Sequence, residues 1–264
     1  MNMMNLKWTD VKDAVQKDSI VLFPIGVIEE HGPHLCLGTD IYTAEILCSN
    51  IQKELHKHGI NSIIAPPFYW GICQSTKGFI GSFTIKMDTA KSLIMDILAS
   101  LYEFGFREVY GINAHGDIEQ NILLMNSFKE AAETTGIAAR CCFRSEVMHF
   151  YGLTGEEQYI CPVLPQQIEV SNSDARDIHA GDIETAIINR YYPAFADPAA
   201  AENLPSLVIE PEREMEWVLG GKTEKLSAMG YMGNPANYQN VKIEEHINDI
   251  TVRYTEAILK KRSA

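Results

Sequence analysis

The stretch SIVLFPIGVIEEHGPHLCLGTD, Ser19 to Asp40, runs from an apolar segment without alternation into a turn-rich segment that carries Glu29, Glu30, His31, His34 and Asp40. An unbroken apolar run of this kind is the pattern of a strand covered on both faces. Five ionisable groups at its end repel and desolvate one another unless they lie on a solvated surface or surround a cation. A helix is predicted next. In IYTAEILCSNIQKELHKHG the residues Ile41, Ala44, Leu47, Cys48, Ile51 and Leu55 recur at helical spacing, with Asp40 placed to cap the start and Gly59 to end it.

The same alternation continues outward from this unit. NSIIAPP reads as a second buried strand, DTAKSLIMDILASLYEFG as a helix from an Asp88 cap to Gly105, and REVYGIN as a strand. DIEQNILLMNSFKEAAETTG and IAARCCF supply another helix and strand. Strands that alternate with helices of this length predict a mainly parallel sheet with helices on both faces, with ligands collecting beyond the carboxyl ends of the strands. Periodicity lapses from Tyr151 to Ile178, returns as a helix in HAGDIETAIINRYYP from near Gly181 to Pro193, and ends in an amphipathic helix from about Lys242 to Lys260. A long irregular segment such as 151–178 reads as a lid or an interface arm.

Length and composition set the outer bounds. With 264 residues and 46% hydrophobic content the chain is expected to form one domain over residues 1–264. Its net charge of -13, with no Lys/Arg cluster, argues against nucleic acid or an anionic membrane as partner. No run approaches the roughly 20 apolar residues of a membrane span. Six cysteines lack C-x-x-C spacing and the polar start MNMMNLKWTDVKDAVQKD is no signal peptide, so reduced thiols and a cytoplasmic location are expected.

Three strand-end segments each bring histidine and carboxylate: Glu29, His31 and Asp40; His115 and Asp117; His179, Asp182 and Glu184. Imidazole and carboxylate without thiolate suit Zn, Mn, Fe or Co better than Ca. Side chains two apart in extended chain share a side, which pairs Glu29 with His31 and His115 with Asp117. A carboxylate entering from a helix start, such as Asp40, is placed to bridge two ions about 3.5 Å apart. An isolated H-x-D or E-x-H pair arises readily by chance, whereas three at matching topological positions point to a centre. His56 and His58 complement a helix end, His246 is read as part of a solvated face, and His149 as a packed, hydrogen-bonded side chain.

PIGVIEEHGPHLCLGTD, NAHGDIEQN, HAGDIET and GYMGNP, in this order, resemble the creatininase (creatinine amidohydrolase) family. The resemblance implies a three-layer α/β/α fold, a centre of two divalent transition-metal ions (Zn, Mn or Fe), hydrolysis of a non-peptide C–N bond in a small molecule, and a homohexamer. Carried over residue by residue, it implies Glu29 and His115 on one metal, His31 on the other and Asp40 as the bridge. The sixth place falls on Asp117, where creatininase has a Glu, or on Glu184, where other relatives use the acid of H-A-G-x-x-E. Asp117 is favoured here because it shares a segment with His115, and Glu184 is then given the task of orienting His179.

The expected chemistry is that of a metal-dependent amidohydrolase acting on a small cyclic amide or formamide. A metal-bridging hydroxide attacks the carbonyl, His179 protonates the leaving nitrogen, and Glu30 orients water. Departures from the family pattern bear on substrate: Glu30 stands for the usual Gln, Cys36 for Pro, Lys77 near a common His, and the 151–178 segment has no tryptophan. Lys77 reads equally as a substrate-facing cation or a solvated turn residue. Hydrolysis of a C–C or lactone bond in sugar or cyclitol breakdown, and metal binding without turnover, are the alternatives.

Overall fold

A computed structural model describes residues 1–220 and 223–263. The secondary structure runs α1 (Trp8–Gln16), β1 (Ile20–Ile25), α2 (Thr39–Lys57), β2 (Ser62–Ile64), α3 (Met87–Phe104), β3 (Glu108–Asn113), α4 (Ile118–Thr134), β4 (Ala138–Arg144), β5 (Ile160–Val163), α5 (Asp182–Tyr191), α6 (Pro198–Glu202), α7 (Pro211–Leu219), α8 (Thr223–Leu226) and α9 (Ile243–Ser263). The five strands form one sheet in the order β2-β1-β3-β4-β5, and every pairing is parallel.

Strand β1 is buried at all six positions, which is why its sequence carries no polar alternation. Val21, Phe23 and Ile25 face one layer with Ala90, Ile94 and Leu98 of α3 and Leu123, Leu124 and Phe128 of α4. Ile20 and Leu22 face the other, where Leu47, Ile51 and Leu55 of α2 meet Ile187 and Ile188 of α5 and Tyr254 and Ile258 of α9. The period of two thus divides one apolar run between two cores and makes three layers.

Neighbouring strands β1 and β3 feed helices on opposite faces, α2 and α4, so the chain opens a crevice beyond their carboxyl ends. Gly26 lets α2 close on that crevice. A Cβ there would lie 2.8 Å from Asp40 Cβ and 3.0 Å from the Asp40 carbonyl carbon, so a larger residue would push the first turn of α2 away.

Several local expectations change. Asp40 does not cap α2: Gly38 holds that place, and Asp40 lies within the first turn with its side chain buried in the crevice. Lys86 rather than Asp88 precedes α3. Segment 151–178 contains β5, a four-residue edge strand interrupted by Pro162, which an edge strand tolerates. His149 is exposed and stacks on Phe150, whereas His246 is 7% exposed and accepts a hydrogen bond at Nδ1 from Gln166 Nε2 at 3.1 Å. Among the described residues no helix is long and apolar enough to cross a membrane.

Candidate metal centre

Three histidines converge in the crevice, and each is tied by one ring nitrogen to a backbone carbonyl. His31 Nδ1 lies 3.2 Å from the Glu29 carbonyl, His115 Nε2 3.1 Å from that of Ile72, and His179 Nε2 2.8 Å from that of Glu30. A carbonyl only accepts, so each of these nitrogens donates and the other nitrogen of each neutral ring carries a lone pair. His31 Nε2, His115 Nδ1 and His179 Nδ1 all lie within 4.0 Å of Glu29 Oε1.

Asp40 divides its oxygens between two of these rings. Oδ1 is 3.4 Å from His31 Nε2 and Oδ2 is 3.0 Å from His115 Nδ1. Glu29 Oε1 is 2.9 Å from His115 Nδ1 and 3.9 Å from His179 Nδ1. Glu184 Oε2 stands 3.9 Å from His31 Nε2. His31, Asp40 and Glu184 bring one potential ligand atom each within 4.8 Å of one another.

Charge follows from this packing. Burial by itself disfavours the His31 imidazolium, but Asp40, Glu184 and Glu29 together overcome it and lift its pKa to about 10. Burial pushes the Glu29 carboxyl up, and the opposing field of His115, His179 and His31 outweighs it, leaving Glu29 well below the usual carboxylate range. The carboxylates demand positive charge that the protein alone can supply only as protons on its histidines. His31 Nε2 and Asp40 Oδ2 are buried with no hydrogen-bond partner, the condition of atoms that a cation would satisfy. The donor set fits divalent transition-metal ions: imidazole and carboxylate, preoriented, with a bridging acid between two groups.

Each arm has a local cause. Glu29, Glu30 and His31 follow β1 in a segment without regular secondary structure, where Glu30 N–H donates to Ser82 Oγ at 3.0 Å. His179 pairs antiparallel to Met232: the N–H groups of Ile178 and His179 donate to the Met232 carbonyl at 3.0 and 3.2 Å, and Met232 N–H donates to the His179 carbonyl at 2.7 Å, so GYMGNP serves to hold HAGDIET. Ala180 adopts φ 50°, a costly conformation for a residue with a Cβ, and is kept there by its N–H donating to Glu184 Oε2 at 2.6 Å. Asp177 caps α5 by accepting from the N–H groups of Ile183 at 2.6 Å and Glu184 at 3.2 Å. Burial, then Glu184 and Asp182, raise the Asp177 pKa to about 7.

Asp117 is used differently from the expectation. Its Oδ1 accepts from the N–H groups of Glu119 and Gln120 at 2.8 and 3.3 Å, capping α4, and its Oδ2 accepts from those of Gln74 and Ser75 at 2.6 and 3.1 Å. Four backbone donors occupy both oxygens, and the short side chain stays with its own helix start. Glu184, the alternative for the sixth place and otherwise expected to orient His179, brings its Oε2 to 3.9 Å from His31 Nε2. Glu30 sits behind His179, with Oε1 3.4 Å from Nε2 and Oε2 accepting from Gly32 N–H at 2.9 Å, so it faces the imidazole and not a water-filled space.

Two contributors escaped the sequence reading. Cys73, a thiol left outside the centre, has Sγ 3.0 Å from Glu29 Oε2. Trp217 of α7 is 3% exposed, lies 5.4 Å from His179 between ring centroids and, with Val218, walls a cavity of about 80 Å³ above the cluster. The tryptophan that segment 151–178 does not have thus comes from α7. Gly220 permits it, because a Cβ there would lie 2.3 Å from the Gln74 carbonyl oxygen against which the segment is seated. Lys77 is exposed and donates to Gln74 Oε1 at 2.6 Å, the behaviour of a surface turn residue. His34 is buried against Thr185 Oγ1 at 2.9 Å, and burial, then His31 and His179, lower its pKa to about 4.

A parallel α/β sheet with carboxylates and imidazoles gathered at its switch point defines a hydrolase of the metal-dependent class. The family model for Creatininase, described as creatinine amidohydrolase, matches residues 4–258, and the chain belongs to that family. Creatinine amidohydrolase of Pseudomonas putida is 22% identical over 213 residues, 78% of this chain and 77% of its own. A mycofactocin precursor peptide peptidase of Mycolicibacterium smegmatis is 30% identical over 98 residues, 37% of this chain and 39% of its own. A Bacteroides fragilis structure provisionally assigned as a creatinine amidohydrolase aligns with a TM-score of 0.72 at 18% identity, covering 99% of this chain and 96% of that one. A manganese creatininase aligns at 0.66 and 16% identity over 98% and 96%.

Proposed function

We propose that the protein is a two-metal amidohydrolase that cleaves a non-peptide C–N bond in a small amide, cyclic amide or formamide. The observation that carries this reading is the division of Asp40 between His31 and His115, with each ring fixed through its other nitrogen. Glu29, His115 and Asp40 would hold one ion, and His31, Asp40 and Glu184 the other; Asp117 is replaced in the ligand set by Glu184. When bound, such ions polarise a carbonyl and bring the pKa of water towards neutrality.

His179 then supplies the proton. Its Nε2–H is committed to the Glu30 carbonyl, which leaves Nδ1 at the cavity to hold a proton and pass it to the leaving nitrogen. The Glu30 carboxylate behind the ring favours the imidazolium. Trp217 and Val218 line one wall of the cavity, whose volume is about 80 Å³.

One experiment tests the reading: metal content per chain, measured alongside a hydrolysis screen of creatinine, formamidopyrimidines, hydantoins and keto-inositols, for the parent, Glu184→Gln and Asp117→Asn. Turnover of an amide is expected, with about one ion lost in Glu184→Gln and both kept in Asp117→Asn. Cleavage of keto-inositols alone would replace C–N by C–C chemistry, and ions lost from Asp117→Asn but kept in Glu184→Gln would restore Asp117 as the ligand. The chain is further proposed to form a homo-oligomer, a hexamer by family likeness. The exposed grouping of Tyr69, Trp70 and Phe83, with ring centroids 5.1 and 5.8 Å apart, supports a covered face. A sedimentation mass of 29.6 kDa, that of one chain, would exclude this.

A further inference from the structure

We infer that Cys73 and Thr76 are positioning residues that aim Glu29, by holding one of its oxygens so that only the other is offered to an ion. The inference rests on Glu29 being a metal ligand, as proposed above. Thr76 Oγ1 donates to Glu29 Oε2 at 2.6 Å, and Cys73 Sγ lies 3.0 Å from the same oxygen. The two donors touch each other, Sγ to Oγ1 at 2.8 Å, and Thr76 Oγ1 lies 3.0 Å from Ser82 Oγ, which accepts from Glu30 N–H. Cys73 and Thr76 are both fully buried, so no solvent competes for this oxygen.

The rest of the segment is anchored on every side. Ile72 accepts at its carbonyl from His115 Nε2 at 3.1 Å and donates its N–H to Gln120 Oε1 at 2.9 Å. Gln74 and Ser75 N–H groups end on Asp117, and the Ser75 carbonyl accepts from Thr223 Oγ1. Residues 72–76 therefore set the orientation of Glu29 and His115 together, and Asp117 serves this half of the centre through the backbone. A thiol in this place is a donor of the right size: it satisfies Oε2 weakly, while the shorter hydroxyl contact carries the orientation. Cys73 Sγ also lies close enough to Glu29 and His115 to form a candidate ligand group with them, so donor and ligand roles must be told apart by measurement.

The test uses the full chain loaded with Co(II), read by absorption, and Zn(II) affinity read by chelator competition, for the parent, Cys73→Ser, Cys73→Val and Thr76→Val. Losing an outer hydrogen bond to a ligand typically weakens metal binding about 10–100-fold. Cys73→Val and Thr76→Val are expected to weaken one ion by about 10-fold or more while the second is retained, and Cys73→Ser, which keeps a donor, to stay close to the parent. The Co(II) parent is expected to show no sulfur-to-cobalt charge-transfer band. Such a band in the parent, absent from Cys73→Ser, would make Cys73 a ligand and overturn the inference. Unchanged affinity in both valine variants would overturn it as well. If Cys73→Val does not fold, Thr76→Val decides alone. A parent that binds no metal defeats the proposed function itself, an outcome distinct from these.

Discussion

The histidines of the centre show how a single residue acquires a direction. Each ring spends one nitrogen on a carbonyl of its own neighbourhood, and the other nitrogen is thereby aimed at carboxylates from different elements. Because Asp40 serves both groups, Asp40→Ala is expected to lose more metal than any other single ligand change, measured as ions per chain after gel filtration. Away from the centre, His246 carries an acid sensitivity. Burial lowers its pKa to about 4, with Asp249 opposing. The unfolded chain takes up this proton near 6.5, so the stability it confers is complete above that pH and is lost as pH falls towards 4. His246→Asn, which keeps an acceptor for Gln166 and cannot titrate, is expected to remove on the order of 3 kcal/mol from the pH dependence between 7 and 4. Urea unfolding at both pH values reads that difference against the parent.

At the level of elements, the arrangement depends on how closely helix starts approach strand ends. Gly26 admits the first turn of α2, and Gly26→Ala is expected to cost about 1–3 kcal/mol, because the added methyl meets Asp40 backbone and Cβ atoms that cannot yield separately. Denaturant unfolding gives the stability loss, and a parallel fall in metal content would trace it to Asp40. In α4 the cap is Asp117, so Asp117→Ala is expected to lose about 1 kcal/mol or more of stability. Strands β1 to β4 and helices α2 to α5 were legible because short apolar runs without alternation are separated by segments in which a period of 3.6 spans enough residues to show. The start of α2 was not, since an Asp can cap a helix or lie inside its first turn, and what decides is the partner its side chain finds. Strand β5 was not legible either, because Pro162 stands inside its four residues and a Pro within a short apolar run argues against a strand.

For the molecule as a whole, the centre ties β1, β3, α2 and α5 across both cores. Removing ions that bind only this assembled cluster is expected to lower the melting temperature by about 5 °C or more, as follows from ligand linkage at concentrations near 100 times Kd. Melting curves before and after chelation, with restoration by added Zn(II) or Mn(II), check this. No change on chelation, with metal shown to be removed, would mean that the cluster is equally stable without ions. Trp217→Ala is expected to raise KM or lower turnover by opening the cavity, while leaving metal content as in the parent, since Trp217 packs beside His179, which is not among the ligands proposed.

What the sequence by itself determined is the layered parallel sheet and the pool of candidate groups: apolar runs without alternation demand cover on both faces, and acids and histidines at strand ends fall at the crevice that such a sheet makes. It also named Glu29, His31, Asp40, His115, His179 and Glu184, which the fold brings to one crevice. Only the tertiary structure decided how these divide the work. Asp117 and Glu184 are equivalent as letters, and they part because four backbone N–H groups, from α4 and from residues 74–75, saturate the one and leave the other beside His31. Cys73 and Trp217 belong to the same category, for nothing in their local sequence shows a partner that lies 44 residues away in one case and on the far side of the crevice in the other. Periodicity records which face a residue must bury, whereas hydrogen-bond saturation depends on groups brought together only by the closed fold.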